Sequence, residues 1–290
     1  MPAHHSYITL PSGIKIFYRH AGPANAPLLL LLHGYPSSSH MFRNLIPLLS
    51  AKYRIIAPDL PGFGFTTVPP SLNYTYTFSS LSSTLASFIE TLSLPPFALY
   101  IFDYGAPTGL RLALTHPDKI LAIITQNGNA YAEGLSPTFW APLFSFWKTD
   151  GSASHREKLT GVTELAFTKW QYLTGEPDTD KIQPEAWTLD QALLDGEGNK
   201  DVQLDLFYDY RTNVEKYGEF QAYFRRSGVP VLAAWGKNDE CFIPAGAEAY
   251  AKDVQKLELR WLDAGHFALE ANNETMAGWI EEFLVKYEVF

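Results

Sequence analysis

The chain has 290 residues, 46% of them hydrophobic, which is enough for one sizeable α/β unit carrying an insertion. Its formal net charge of -9 argues against nucleic acid or an anionic membrane surface as a partner, since both are held by basic patches. The single cysteine, Cys241, excludes an internal disulfide framework. The start of the chain has no basic stretch followed by an apolar core, and the longest aliphatic run, 28–32, is far shorter than the roughly 20 residues that span a bilayer, so a cytoplasmic enzyme is the expectation.

In chain order, residues 7–10 and 14–18 read as two short strands around the turn residues Pro11-Ser12-Gly13, a hairpin pattern. A strand at 28–32, a helix over 38–50 and a strand at 53–57 follow, each apolar run bounded by Gly, Pro or Asp. The segment 78–92 sets Phe78, Leu81, Leu85, Phe88, Ile89 and Leu92 at three- and four-residue spacing, the stripe of a helix packed on a sheet. Then come a strand at 97–102, a helix at 105–115 and a strand at 120–125. After a long interval the alternation resumes with strands at 229–235 and 257–262, interleaved with helices at 244–252 and 273–286. This alternation predicts a mostly parallel α/β sheet flanked by helices.

Between Asn127 and Gly228 the alternation stops. That stretch is rich in acids and aromatics, with helical pieces predicted at 137–147, 155–173 and 211–225. Residues 128–228 are therefore read as a helical cap over the carboxyl edge of the sheet, where open α/β folds hold ligands, and residues 1–127 and 229–290 as the core domain. The aromatics Phe139, Trp140, Phe144, Phe146 and Trp147 suit both the cap's own packing and a lining for an apolar substrate.

Four separated segments converge on one chemistry. In Phe102-Asp103-Tyr104-Gly105-Ala106 an acid ends an apolar run and begins a helix, the setting of a nucleophile elbow. A serine displacing a leaving group from saturated carbon would be left as an ether, whereas a carboxylate is left as an ester that activated water can cleave. Asp103 at the elbow thus favours electrophiles at sp3 carbon, such as epoxides or alkyl halides. In His33-Gly34-Tyr35-Pro36 the Tyr35 N–H can pair with the Tyr104 N–H as an oxyanion hole. Asp239 closes Trp235-Gly-Lys-Asn-Asp239, and His266 lies in the loop after the last strand, giving the order nucleophile, acid, histidine. With an aspartate reference pKa of about 3.9, Asp103 needs no base, so His266 is expected to deprotonate water while Asp239 fixes its tautomer. His33 is expected to brace its turn. His4, His5, His20, His40, His116 and His155 lack metal-ligand spacing and are expected to be solvated or locally bonded. Gly62 and Gly64 are not followed by the Lys-Ser or Lys-Thr of a phosphate loop, so no nucleotide cofactor and no metal are implied.

Through His-Gly-Tyr-Pro at 33–36, Pro-Asp-Leu-Pro-Gly-Phe-Gly at 58–64, Phe-Asp-Tyr-Gly-Ala at 102–106, Trp-Gly-Lys-Asn-Asp at 235–239 and Gly-His-Phe-Ala-Leu-Glu at 265–270, the chain resembles the aspartate-nucleophile branch of the α/β-hydrolase superfamily. That branch holds epoxide hydrolases and the haloalkane and haloacetate dehalogenases. The resemblance covers essentially the whole chain and implies the α/β-hydrolase fold. It also implies leaving-group contacts from the cap. Tyr210, in Phe207-Tyr-Asp-Tyr210-Arg-Thr-Asn213, matches the epoxide-opening tyrosine, although haloacetate dehalogenases share that setting. Trp170 stands where a second tyrosine is usual, with Tyr172 two positions on. Ile101 replaces the glycine common in epoxide hydrolases, as in several haloalkane dehalogenases. Tyr104 replaces both the tryptophan of haloalkane enzymes and the arginine of haloacetate enzymes. The expectation is an epoxide hydrolase acting on a small apolar substrate with water. A hydrolytic dehalogenase is the alternative, and a non-catalytic small-molecule receptor the further one.

Overall fold

The computed structural model describes residues 3–290, so the first two residues of the N-terminal stretch lie outside the described residues. Among the described residues, eight strands form one sheet: β1 (His4–Thr9), β2 (Lys15–Ala21), β3 (Leu28–Leu32), β4 (Arg54–Pro58), β5 (Phe97–Phe102), β6 (Ile120–Gln126), β7 (Val231–Gly236) and β8 (Leu257–Leu262). Their order is β1-β2-β4-β3-β5-β6-β7-β8. The predicted hairpin, β1 with β2, is antiparallel, as is β2 with β4, and every pairing from β4 to β8 is parallel. β3 and β5 are buried along their whole length, which is why both read as unbroken apolar runs rather than alternating ones.

The core helices are α1 (Leu45–Leu49), α2 (Phe78–Thr91) and α3 (Gly105–Thr115). Between β6 and β7 stand α4 (Pro137–Lys148), α5 (Ala153–Lys158), α6 (Leu165–Leu173), α7 (Pro184–Leu194), α8 (Asn199–Asp209) and α9 (Arg211–Ser227), and α10 (Pro244–Ala249) and α11 (Asn273–Lys286) complete the chain. α2 follows the predicted stripe: Phe78, Leu81, Leu85, Phe88 and Ile89 are buried, and the Thr77 hydroxyl caps the helix by accepting from the Ser80 N–H.

Several expected elements are broken, for local reasons. The helix predicted over 38–50 is a 3-10 turn, Ser39–Phe42, followed by the short α1. Pro47 has no N–H, and its ring would clash with the Arg43 carbonyl in a continuous helix. The piece predicted over 155–173 becomes α5, a 3-10 turn at Thr160–Thr163 and α6, parted where Glu164 is extended. α7 and α8 escaped prediction because their buried faces carry Asp190, Gln191 and Gln203, which interrupt the apolar spacing. Among the described residues no helix is long and apolar enough to cross a membrane.

Candidate active site

Asp103 occupies the turn from β5 into α3 with φ +45°, a left-handed conformation that a short polar side chain tolerates better than most. Two glycines make that turn possible. A Cβ on Gly105 would lie 2.5 Å from the Leu32 carbonyl oxygen, and one on Gly34 would lie 2.4 Å from the Asp103 Cβ. Gly109, one helical turn later, leaves room for the Ile101 side chain beneath α3.

The two oxygens of Asp103 meet different surroundings. Oδ1 accepts the Tyr35 N–H at 2.6 Å, and the Tyr104 N–H also bonds the carboxylate. Oδ2 lies 3.8 Å from His266 Nε2, too far for a direct hydrogen bond. Burial pushes the Asp103 pKa up to about 6, against the His266 charge and the two N–H donors, which favour the carboxylate. Asp103 is therefore mainly ionised at neutral pH, although closer to titration than its residue type alone suggested.

His266 is buried and gives Nδ1 to Asp239 Oδ2 at 2.8 Å. Burial disfavours the imidazolium, yet the Asp239 carboxylate beside it and the Asp103 charge hold its pKa above the ordinary value. Asp239 in turn is fixed on both oxygens: Oδ1 accepts the Cys241 N–H at 2.7 Å, and Oδ2 accepts Asn127 Nδ2 at 2.7 Å. Asn127 lies just beyond β6 at φ +46°, and its Oδ1 accepts the Gly236 N–H at 3.0 Å, so one amide ties β6 to the end of β7. Its residue type carried no catalytic pattern in the sequence; the only signal available was its place at the end of a parallel strand.

The supporting loops are equally specific. His33 accepts the Leu60 N–H on Nε2 at 3.0 Å while Nδ1 meets the Gly34 carbonyl, so it braces its turn as expected. Burial lowers its pKa to about 4. Asp59 accepts the Ser39 and Phe65 N–H groups, each at 2.8 Å, which gives the 58–64 segment a structural role behind that turn. His20, His116 and His155 have hydrogen-bonding neighbours as anticipated, whereas both ring nitrogens of His40 are buried without a hydrogen-bond partner among the described residues.

A narrow cavity with free space of about 20 Å³, room for the centre of one or two water-sized molecules, opens on Asp103 and His266. Its wall combines core residues with Phe139, Trp140, Phe167, Gln171 and Phe207 from the inserted helices and includes no lysine or arginine. The larger groove beside Ser82, Glu90 and Arg111 gathers none of these groups.

Asp103, Asp239, His266, Tyr35 and Tyr104 are thus brought together; of the residues expected at the leaving group, Trp170 borders a crevice shared with Asp239 and His266, whereas Tyr210 and Tyr172 do not line the cavity. Tyr210 lies behind Trp140 and Tyr104, with ring centroids 4.7 and 5.8 Å away, and its hydroxyl bonds Tyr217. The Tyr172 hydroxyl donates to Asp190 at 2.6 Å. Trp170 stacks on Phe139 and Phe167 at 5.8 and 5.4 Å, beside a crevice that reaches Gln171 and His266.

Asp239, Cys241 and His266 hold their ligand-type atoms within 4.8 Å of one another. His266 Nδ1 is already given to Asp239, and burial raises the Cys241 thiol well above its ordinary pKa, so the group is a hydrogen-bonded relay rather than a free ligand set.

The sequence pattern of the alpha/beta hydrolase fold family matches residues 27–272. An uncharacterized hydrolase of Saccharomyces cerevisiae is 50% identical over 267 residues, 91% of each chain. A haloalkane dehalogenase of Mycobacterium marinum is 36% identical over 137 residues, 47% of this chain and 44% of that one. Among solved structures, a haloalkane dehalogenase from Bradyrhizobium elkani superposes with a TM-score of 0.79 at 22% identity, covering 98% of this chain and 99% of that one. An epoxide hydrolase, CorEH, superposes with a TM-score of 0.79 at 18% identity, over 98% and 99%. At those identities the two structures speak for the fold alone.

Proposed function

We propose that this chain, which belongs to the α/β-hydrolase fold family and is a hydrolase of that family, works through a covalent ester on Asp103 and opens an epoxide with water to a diol. The observation that carries this reading is the division of labour between the Asp103 oxygens. Oδ1 is held by the Tyr35 N–H at 2.6 Å, while Oδ2 stands free of a direct bond to His266 at 3.8 Å.

In this scheme Oδ2 attacks a ring carbon, the carbon–oxygen bond breaks with its electrons on oxygen, and that oxygen takes a proton from a phenol. The ester forms with Oδ1 as its carbonyl oxygen. His266 then takes a proton from water, and the hydroxide attacks the Asp103 carbonyl carbon. Charge on Oδ1 is stabilised by the Tyr35 and Tyr104 N–H groups. Collapse restores the carboxylate and frees the diol, the hydroxyl hydrogen of the tetrahedral species passing to the departing oxygen. The imidazolium proton returns to the phenolate, so the balance is epoxide plus water to diol.

The helices of 128–228 serve in this reading as the cap, with 1–127 and 229–290 as the core. Supporting it, residues from α4, α6 and α8 wall the cavity above Asp103. A wall of aromatic rings without a cation suits a neutral, apolar substrate and disfavours a carboxylate-bearing one. Dehalogenation of a small organohalide is the second reading, supported by the likeness to the Mycobacterium marinum haloalkane dehalogenase.

The test is intact-mass spectrometry of His266→Gln protein incubated separately with 1,2-epoxybutane and 1-bromobutane. An adduct on Asp103 of the mass of the whole epoxide supports the first reading, and a butyl adduct the second. No adduct from either, with no turnover by the parent enzyme, would remove the covalent scheme.

A further inference from the structure

The polar atoms around the cavity are nearly all committed. The Tyr35 hydroxyl donates to the Val162 carbonyl at 2.7 Å, and Trp140 Nε1 donates to the Cys241 carbonyl at 2.9 Å. His266 Nδ1 is given to Asp239. Besides Asp103 Oδ2 and His266 Nε2, two side chains of the wall remain. Gln171 is 4% exposed and Tyr104 2%, yet Gln171 Nε2 and the Tyr104 hydroxyl have no hydrogen-bond partner among the described residues. Buried donors without acceptors are uncommon in folded proteins because desolvation is then uncompensated. Two of them on the wall of one small cavity, beside a nucleophile, mark a place where an acceptor arrives.

We propose that Gln171, together with the Tyr104 phenol, receives the leaving atom when Asp103 attacks. This assignment rests on the covalent aspartyl-ester reading and deepens it. It differs from the contacts expected at Tyr210, Trp170 and Tyr172, and helix geometry gives the reason. Consecutive residues of a helix point about 100° apart. In α6 the Trp170 ring joins the stack with Phe139 and Phe167, and the Tyr172 ring packs on Phe267 at 3.9 Å with its hydroxyl on Asp190. The residue between them is the one on the cavity wall. A carboxamide N–H donates to a developing alkoxide or halide without losing its proton. In epoxide opening Tyr104 is therefore the proton source. With a halide, both groups remain donors and no proton moves.

The experiment measures single-turnover alkylation of Asp103 by intact mass, with His266→Gln as the parent and 1,2-epoxybutane, 1-bromobutane and 1-chlorobutane as probes. Gln171→Met is expected to slow alkylation on the order of a hundredfold, the usual cost of losing a donor to developing charge. It should also widen the ratio of bromide to chloride rates, because the poorer leaving group depends more on the donor. A merely structural role would lower all three rates together. Gln171→Glu, close in shape but negative, should be slower still and keeps the question open to test if the methionine variant fails to fold. Tyr104→Phe should penalise the epoxide more than the bromide. Alkylation by Gln171→Met within threefold of the parent, or a loss carried by Tyr210→Phe instead, overturns the assignment while leaving the aspartyl ester standing. Absence of any ester on the parent removes both.

Discussion

Asn127 Nδ2 donates to Asp239 Oδ2 at 2.7 Å, to the same oxygen that receives His266 Nδ1 at 2.8 Å. The amide and the imidazole together saturate the inner face of that carboxylate, so its orientation does not depend on His266 alone. Because Asn127 also accepts the Gly236 N–H, the relay is anchored to the ends of two adjacent strands.

Asn127→Ala should therefore slow ester hydrolysis more than ester formation. A hydrogen bond to a charged group contributes about 1.5–3 kcal/mol, so a fall of roughly tenfold to a hundredfold in the hydrolytic step is expected. Rapid-quench measurement of both steps checks this; equal slowing of both would point to general loosening of the site.

The pH dependence of the two half-reactions should separate. In the proposed scheme Asp103 must be ionised to attack, and its pKa is about 6, so alkylation should fall off below pH about 6. Hydrolysis in that scheme needs neutral His266, whose pKa Asp239, the larger of its two anionic neighbours, still raises once Asp103 is an ester, so its acid limb should fall at higher pH than the first. In His266→Gln the imidazolium that lowers the Asp103 pKa is gone, and the alkylation limb should move upward. A pH series of single-turnover rates tests the order; coincident limbs would contradict it.

Asp103→Asn should abolish turnover and stabilise the fold. The folded pKa of about 6 exceeds the ordinary carboxyl value of 3.8, so the folded state binds the extra proton between those values and stability falls as pH rises through that window. Above it the penalty is fully developed, at most about 3 kcal/mol. Thermal melts of both proteins should differ at pH 8 and converge towards pH 4. A melting temperature lowered at pH 8 would show that burial of the charge is not the dominant effect.

Gly34→Ala places a methyl group 2.4 Å from both the Asp103 Cβ and Oδ1. The loop must shift and carry the Tyr35 N–H away from Oδ1, so ester hydrolysis should drop on the order of a hundredfold or more. Accumulated ester in the steady state, seen by mass, is the expected signature, and unchanged kinetics would mean that the Tyr35 N–H is not needed.

Much of the molecule was legible from residue order. β3 and β5 are short apolar runs because they are buried on both faces, and the turn after β5 shows itself by Asp103 followed by Tyr-Gly-Ala. The polar helices were not legible. Asp190, Gln191 and Gln203 are buried in α7 and α8, so apolar spacing could not announce those helices. Burial of such groups depends on partners distant in the chain, as with Thr168 for Gln191 and the Gly62 carbonyl for Gln203.

The sequence by itself determined the strand–helix alternation, the glycines at the tight turns and the order Asp103, Asp239, His266, because strand period and turn chemistry are local properties. Tertiary structure alone decided that Asn127 holds Asp239, that the hydroxyls of Tyr210 and Tyr172 are engaged by Tyr217 and Asp190, and that Gln171 rather than its neighbours lies on the cavity wall. Which face of a helix meets a cavity, and which donors stay unpaired there, follows from packing between segments far apart in the chain, and no local pattern encodes it.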